Sequence, residues 1–486
     1  MNNLKGRTVK GIGWVTVAQL IRLILTFVVT AILARLLEPD DFGLVAMVVV
    51  FTNFAAILND IGLPAALVQS KEITEEQKSS SFWVNLLEGL LITLVLAALS
   101  PLIAGFYSKS QLIPIVIVLS STFFISSFGM IQSGLLARDM DFKKLALIET
   151  TAAFAAGAVA VAMAFAGFGV WSLVFQQVVA SLVTAILLFF LCGWKPGLTC
   201  RWRPIKQLFR FGINLTGFNV INYFSRNLDN LLIGRFLGSI SLGFYSLAYR
   251  VFLLPLQTIS GVVGRVMFPA LSSMQEERER VREVYIRATR LIALVTFPMS
   301  VGLLVVAPQF IRVVFGDKWA RAILVIQVLA LVGLVQSIAT TLGWIFQSQG
   351  RTDIMFRWGL FATTVAVTAF IIGLRWDIEG VAVAYAIASL LLVYPAFFLA
   401  FRLIGLKVHH YFQRLGTVAL STAIMGGLSY AFRVLFERTL GLGDLVVLAS
   451  TVVVSVITYT AAVSLLDKAL VVDAFGALKA LKGGRA

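Results

Sequence analysis

Charge is what this sequence has least of. Only 13% of its 486 residues are Asp, Glu, Lys or Arg, about half the share of a soluble globular domain. An ordinary water-soluble enzyme is thereby excluded. Histidine is nearly absent, with His409 and His410 adjacent in one short loop. Two cysteines, Cys192 and Cys200, flank a basic stretch without metal-ligand spacing or partner histidines, so they are expected to be inert thiols and no metal is expected. No G-x-x-x-x-G-K-[ST] run occurs, which excludes a Walker-type ATPase. No soluble stretch is long enough to fold as a catalytic domain. The chain is expected to be a non-enzyme without a cofactor.

What is there is apolar. Hydrophobic residues make up 59% of the chain, and the mean hydropathy is +0.93. The apolar runs are ~20 residues long, the length of a spanning helix rather than of a barrel strand. Fourteen spans are expected: 11–36, 42–66, 81–104, 112–136, 145–166, 170–192, 211–237, 242–268, 288–308, 322–347, 355–374, 380–402, 415–436 and 444–466. The first is of full spanning length without a convincing cleavage site, and is expected to be an uncleaved helix. With the N-terminus inside, 27 Lys/Arg fall in inner connections, nine in outer ones and four within spans. That bias places both termini inside. The net charge of +16 is therefore topology and attraction to an anionic leaflet, not a nucleic-acid signature.

Gly193–Arg210 reads as an amphipathic linker on the inner surface, Met274–Arg287 as a short charged helix, and Leu466–Ala486 as an interfacial helix.

The informative residues are polar ones inside spans. In Phe211–Leu237, Asn219, Asn222, Arg226, Asp229 and Asn230 fall within an arc of about 100° on one helical face. An ionisable group at bilayer depth costs roughly 2.5–3.5 kcal/mol on insertion scales, so such a stripe faces a bundle interior or a wet cavity. Two hundred positions earlier, Gln19, Arg22, Thr26 and Thr30 occupy the registers of Asn219, Asn222, Arg226 and Asn230. Lys10 matches Arg210, Arg35 matches Arg235 and Gly43 matches Gly243. The reading is an all-α integral membrane protein of two pseudo-symmetric six-helix bundles, 1–192 and 211–402, joined by the cytoplasmic linker 193–210. Helices 13 and 14 with the tail, 403–486, have no counterpart and little buried polarity.

Leu36–Gln69, with L-x-P-x-D-F-G at Leu37–Gly43 and D-x-G-L-x-x-A-L-V-Q at Asp60–Gln69, resembles the polysaccharide transport family. So does the T-E-E-Q that opens the third span. This family belongs to the multidrug/oligosaccharidyl-lipid/polysaccharide exporter superfamily. The chain is closest in feel to exporters of colanic acid and related exopolysaccharides. The resemblance implies outward movement of undecaprenyl-diphosphate-linked oligosaccharide across the bacterial inner membrane by alternating access. The candidate partners are the pathway's polymerase and glycosyltransferases. No nucleic acid is expected.

Such a substrate presents a diphosphate, sugars and a polyprenyl tail. Arginine binds phosphate oxygens bidentately and stays charged at any depth. Arg22, Arg226, Arg250 and Arg265 are the candidate anion ligands, with an i,i+3 pair to Asp229 the rival role for Arg226. Gln19, Asn219, Asn222, Tyr223, Tyr245, Tyr249 and Gln257 could serve the sugars, or glue helices together. Asp229 and Glu88 are candidate proton or sodium carriers, with Asp60 and Glu149 as shallower alternatives. Asp60 could equally cap a helix end, and Glu149 could be interfacial near Lys144. A cation-coupled multidrug antiporter on the same fold is the main rival, but it would favour an acidic cavity over buried arginine. A glycosyltransferase or polymerase would need a sizeable outer loop with paired carboxylates. A scaffold without directional transport is the third alternative.

Overall fold

The computed structural model describes residues 2–59, 73–198, 206–440, 443–468, 470, 472 and 476. Within these, the side chains of 2–16, 58, 206–222, 224–226, 254–262, 265–266 and 438–440 fall outside the description. The described residues are helical throughout, without a strand. In chain order the helices are α1 (Asn2–Leu36), α2 (Pro39–Asn59), α3 (Glu75–Tyr107), α4 (Leu112–Arg138), α5 (Phe142–Phe165), α6 (Val170–Leu191) and α7 (Lys206–Ser273). Then come α8 (Arg278–Val314), α9 (Ala322–Ala339), α10 (Leu342–Ser348), α11 (Thr352–Gly373), α12 (Asp377–Ile404), α13 (Val408–Leu440) and α14 (Asp444–Leu466).

Twelve stretches among the described residues are long and apolar enough to cross a membrane. One of them, Thr352–Ile404, contains both α11 and α12, separated by the short 3-10 turn Leu374–Trp376. Helix α7 runs for 68 residues but is broken at Gly238, with φ 85° and ψ 179°. Only glycine adopts that conformation without strain. One expectation needs correction. The charged segment 278–287 is no separate helix: it forms the first turns of α8, which runs unbroken to Val314. Glu and Arg are good helix formers, and no glycine or proline interrupts Arg278–Phe297. The expected span 322–347 is found as Ala322–Ser348, its helix turning at Thr340–Thr341 between α9 and α10.

Local chemistry fixes the ends. Pro39 opens α2 with Asp40 and Asp41 in its first turn, where a fixed φ and negative charge both favour a helix start. Asp41 Oδ2 accepts from the Glu38 N–H at 3.0 Å. The T-E-E-Q motif is a capping box. Gln77 N–H donates to Thr74 Oγ1 at 3.2 Å, and Thr74 N–H to Gln77 Oε1 at 3.0 Å.

The chain divides into two compact units, 1–243 and 244–486. In the first, α3 packs along α4, α4 along α6, and α5 along both α1 and α6. The polypeptide after α6 folds back over the start of α3. Trp194 Nε1 donates to Glu75 Oε2, Trp83 Nε1 to the Gly197 carbonyl, and Gly197 N–H to Ser79 Oγ, at 2.8, 2.8 and 2.9 Å. In the second unit α8 packs against α9, α13 and α14. A buried cluster there joins Leu271, Tyr285, Phe397, Phe401 and Tyr411.

Helices α13 and α14 carry more buried polarity than their sequence suggested. Ser421, Thr422, Ser429, Thr451 and Ser455 are buried. Ser429 and Ser455 pair across the two helices at 2.8 Å. Ser421, Thr422 and Ser455 donate to carbonyls four residues back, so they sit in an apolar interior without an orphaned donor.

Candidate functional site

The first unit contains a contact that only glycine permits. The α1–α2 turn lies against the break in α7. A methyl on Gly43 would overlap the Ser239 carbonyl, and one on Gly243 would overlap the Pro39 carbonyl. The two contacts are reciprocal. Pro39 and Ser239 share a register two hundred apart, as do Gly43 and Gly243, so each partner contributes the same two positions. That is the signature of an approximate two-fold relation. Ser239 Oγ donates to Asp40 Oδ1, and Lys109 Nζ stands 3.6 Å from the same oxygen. Next to the junction, Arg235 donates to Ser108 Oγ at 3.3 Å and lies 5.6 Å from the Phe106 ring centroid. A Cβ on Gly234 would meet Tyr107 Cε1 at 2.8 Å. Tyr223, expected to serve a sugar, instead donates its hydroxyl to the Val50 carbonyl of α2 at 2.5 Å.

Arg22 on α1 forms an ion pair with Glu149 on α5. The two are 127 positions apart. Glu149 therefore meets a cation other than Lys144, which instead pairs with Asp141 at 3.0 Å. The pair remains open: the Arg22 side chain is 40% exposed and that of Glu149 51%. Gln19, one turn earlier on α1, is exposed. The α1–α5 contact that holds the pair includes Val29, whose Cγ2 fills the space over Gly157.

The other expected residues are distributed as follows. Asp229 is buried, and its Oδ1 accepts from the Asn230 N–H at 2.8 Å. Glu88 lies within α3 with both carboxylate oxygens shielded from solvent. Arg250 is exposed on the second part of α7. Beside it, Tyr249 stacks on buried Tyr245 with centroids 5.9 Å apart and planes 22° apart. Asp60 and the side chains of Asn219, Asn222, Arg226, Gln257 and Arg265 lie outside the described residues, as does Cys200. Cys192 Sγ faces the Gln132 carbonyl at 3.7 Å. Burial pushes its thiol pKa up. Among the described residues no three His, Cys, Asp or Glu side chains are grouped to hold a metal.

Sequence reasoning passed over Asp40, Ser239 and Lys109. The signal was present, since the junction coincides with the Gly43/Gly243 register and the D-F-G motif. It also passed over a polar clamp in the second unit. Arg290 on α8 forms an ion pair with Asp467, just beyond α14, with side chains 20% and 13% exposed. Thr417 Oγ1 and the Leu470 N–H add hydrogen bonds to that carboxylate at 2.8 and 3.0 Å.

Comparison with known proteins supplies the family. A family described as "Polysaccharide biosynthesis protein" matches residues 32–324. The teichuronic acid biosynthesis protein TuaB of Bacillus subtilis (strain 168) is 31% identical over 443 residues, covering 88% of this chain and 90% of that protein. The lipopolysaccharide biosynthesis protein WzxC of Escherichia coli (strain K12) is 30% identical over 377 residues, covering 76% of each. Among solved structures, the lipid II flippase MurJ in an inward closed conformation superposes with a TM-score of 0.75 at 15% identity. That match covers 94% of this chain and 99% of MurJ, and shows a shared fold. The chain belongs to the polysaccharide biosynthesis protein family.

Proposed function

We propose that this protein is a flippase. It moves an undecaprenyl-diphosphate-linked oligosaccharide across the bacterial cytoplasmic membrane by alternating access, in the assembly of a cell-surface polysaccharide. The reading includes fourteen crossings with both termini inside, the α7 break and the α11–α12 turn each separating two spans. The observation that carries it is the open Arg22–Glu149 pair, within a chain whose relatives are named for polysaccharide biosynthesis.

A buried, fully satisfied ion pair would be structural. This one is half accessible, so another anion can reach the guanidinium. Glu149 holds Arg22 in place while no substrate is bound. An arriving diphosphate presents more acceptor oxygens than a carboxylate and takes the planar fork bidentately. Glu149 is released as the diphosphate binds, and returns when it leaves. Exchange of one anion for another keeps the cation partnered at every stage, which avoids the cost of a bare charge in the membrane.

The glycine junction fits the second requirement, a seal that can part. Two backbones in van der Waals contact at paired glycines can close tightly and part without unthreading a bulky side chain from between them. Under the charge-bias topology this junction lies at the outer face and closes it. The inside-negative potential of a bacterium favours outward movement of the diphosphate by ~2.3 kcal/mol per elementary charge per 100 mV. Asp229 and Glu88 are the candidates for any additional proton or sodium coupling.

The test is flipping of a fluorescent undecaprenyl-diphosphate oligosaccharide in proteoliposomes, read by accessibility to a membrane-impermeant quencher. The wild type is expected to flip it, and Gly43→Leu to lose flipping because the junction cannot close. A wild type that leaves this lipid in place, but exports a cationic drug, would replace the reading with that of a multidrug antiporter.

A further inference from the structure

Helix α13, which the transport reading leaves without a role, borders a cavity. It measures about 420 Å³ and lies between α8, α9 and α13 in the second unit. Its size falls within the range of small-molecule sites, roughly 300–1,000 Å³. Val301, Leu304 and Val305 form one wall and Ala423 part of another. Gly426 and Gly427 stand side by side on α13. At Gly426 a Cβ would press on Val301 Cγ1 at 2.6 Å, whereas at Gly427 it would meet nothing within 4 Å. Gly427 thus borders open space. An apolar trough offers water too few partners to hold it, so at membrane depth hydrocarbon is the natural filling.

One end of the cavity is different. Arg433 lies there, its Nη1 donating to the Val305 carbonyl at 2.6 Å and its guanidinium 5.0 Å from the Tyr430 ring centroid. Its Nε is shielded from solvent and makes no hydrogen bond. The nearest carboxylate oxygen to that Nε is Glu437 Oε2, at 4.0 Å. Glu437 itself is exposed and also accepts from Gln309 Nε2. A cation with a spare donor and an accessible carboxylate therefore stand together beyond the apolar trough. A purely anionic headgroup would suit Arg433 and be repelled by Glu437. A headgroup that carries both a phosphate and an ammonium suits both.

We propose that this cavity is a binding site for a zwitterionic glycerophospholipid of the phosphatidylethanolamine type. One acyl chain lies over Gly427 between α8 and α13. The phosphate sits against the Arg433 guanidinium at the end of the trough, and the ammonium turns to Glu437. The lipid serves as a packing element between α13 and the helices it abuts, in a region separate from the Arg22–Glu149 pair.

Native mass spectrometry of the delipidated full-length protein tests this. Phosphatidylethanolamine, phosphatidylglycerol and undecaprenyl phosphate are titrated singly and in competition. The wild type is expected to retain one phosphatidylethanolamine in preference to phosphatidylglycerol. Gly427→Leu fills the trough and is expected to lose that adduct. Glu437→Gln, at an exposed side chain that leaves the fold intact, is expected to keep an adduct but lose the preference between headgroups. Equal retention by wild type and Gly427→Leu would overturn the proposal. So would a wild type indifferent to headgroup, or one from which undecaprenyl phosphate displaces the phospholipid at equal concentration. If Gly427→Leu does not yield folded protein, the Glu437→Gln headgroup comparison decides.

Discussion

Two arginine–carboxylate pairs in this protein look alike on paper and differ in kind. Arg22–Glu149 joins α1 to α5 and is about half exposed on both sides. Arg290–Asp467 joins α8 to the chain beyond α14, is mostly buried, and is completed by Thr417 and the Leu470 backbone. The second carboxylate has its acceptor capacity used by three donors from three parts of the chain. The first is a single guanidinium–carboxylate contact among the described residues, with both side chains about half exposed. On the proposed reading, ion-pair chemistry fastens helices in one place and keeps a cation available in the other.

The largest expected effect breaks the buried pair. Asp467→Ala leaves Arg290 uncompensated in the interior, where loss of one partner costs about 3–5 kcal/mol. Thermal unfolding in detergent should show a large drop in midpoint, and transport should fall only in proportion to folded protein. A midpoint unchanged from wild type would mean that the clamp fastens nothing.

Arg22→Ala should separate the two properties. An exposed pair contributes only about 0–1 kcal/mol, so the unfolding midpoint should stay near that of wild type. Transport should fall by roughly ten- to a hundred-fold, the equivalent of a charged hydrogen-bonding group worth about 1.5–3 kcal/mol. Arg22→Lys should lie between, since lysine keeps the charge and loses the fork. Equal loss of stability and transport in Arg22→Ala would assign this pair to structure too.

A smaller effect is expected from Glu149→Gln. It removes the resident anion without removing the cation. Binding of undecaprenyl diphosphate should tighten, while flipping should change by only a few-fold, a shift of about 1 kcal/mol. Weaker binding in this variant would contradict the exchange step. The smallest effect concerns Cys192. Its half-buried, raised-pKa thiol should react slowly with maleimide at neutral pH. Rapid labelling at that position would show that the segment following α6 opens.

Much of the fold was legible because the bilayer imposes it. Length and apolarity marked the helices, and the two-hundred-residue register matched Gly43 with Gly243 without showing that the two meet. Pairings made across the sequence were not legible. Glu149 looked like a neighbour of Lys144, because a sequence shows what is one turn away and not what is 127 positions away. The polarity of α13 and α14 was hidden for another reason. Ser421, Thr422 and Ser455 bond to their own helix backbone, so a stretch with excellent hydropathy can still carry a buried polar seam. Nothing in the sequence singled out Arg433, yet its side chain is only 12% exposed, on the wall of a cavity. The α8 extension was obscured because charge marks the end of a membrane span but not the end of a helix.

The central claim is that Arg22 exchanges Glu149 for a diphosphate during transport. The most direct measurement is the flipping rate of a lipid-linked oligosaccharide in proteoliposomes, under an inside-negative potassium diffusion potential. It should be made for the wild type, Arg22→Ala and the reversed pair Arg22→Glu, Glu149→Arg, all matched for folded protein. The exchange account predicts that Arg22→Ala is nearly inactive and that the reversed pair, which keeps a fork at the same place, recovers a measurable part of the rate. Wild-type flipping by Arg22→Ala would contradict it.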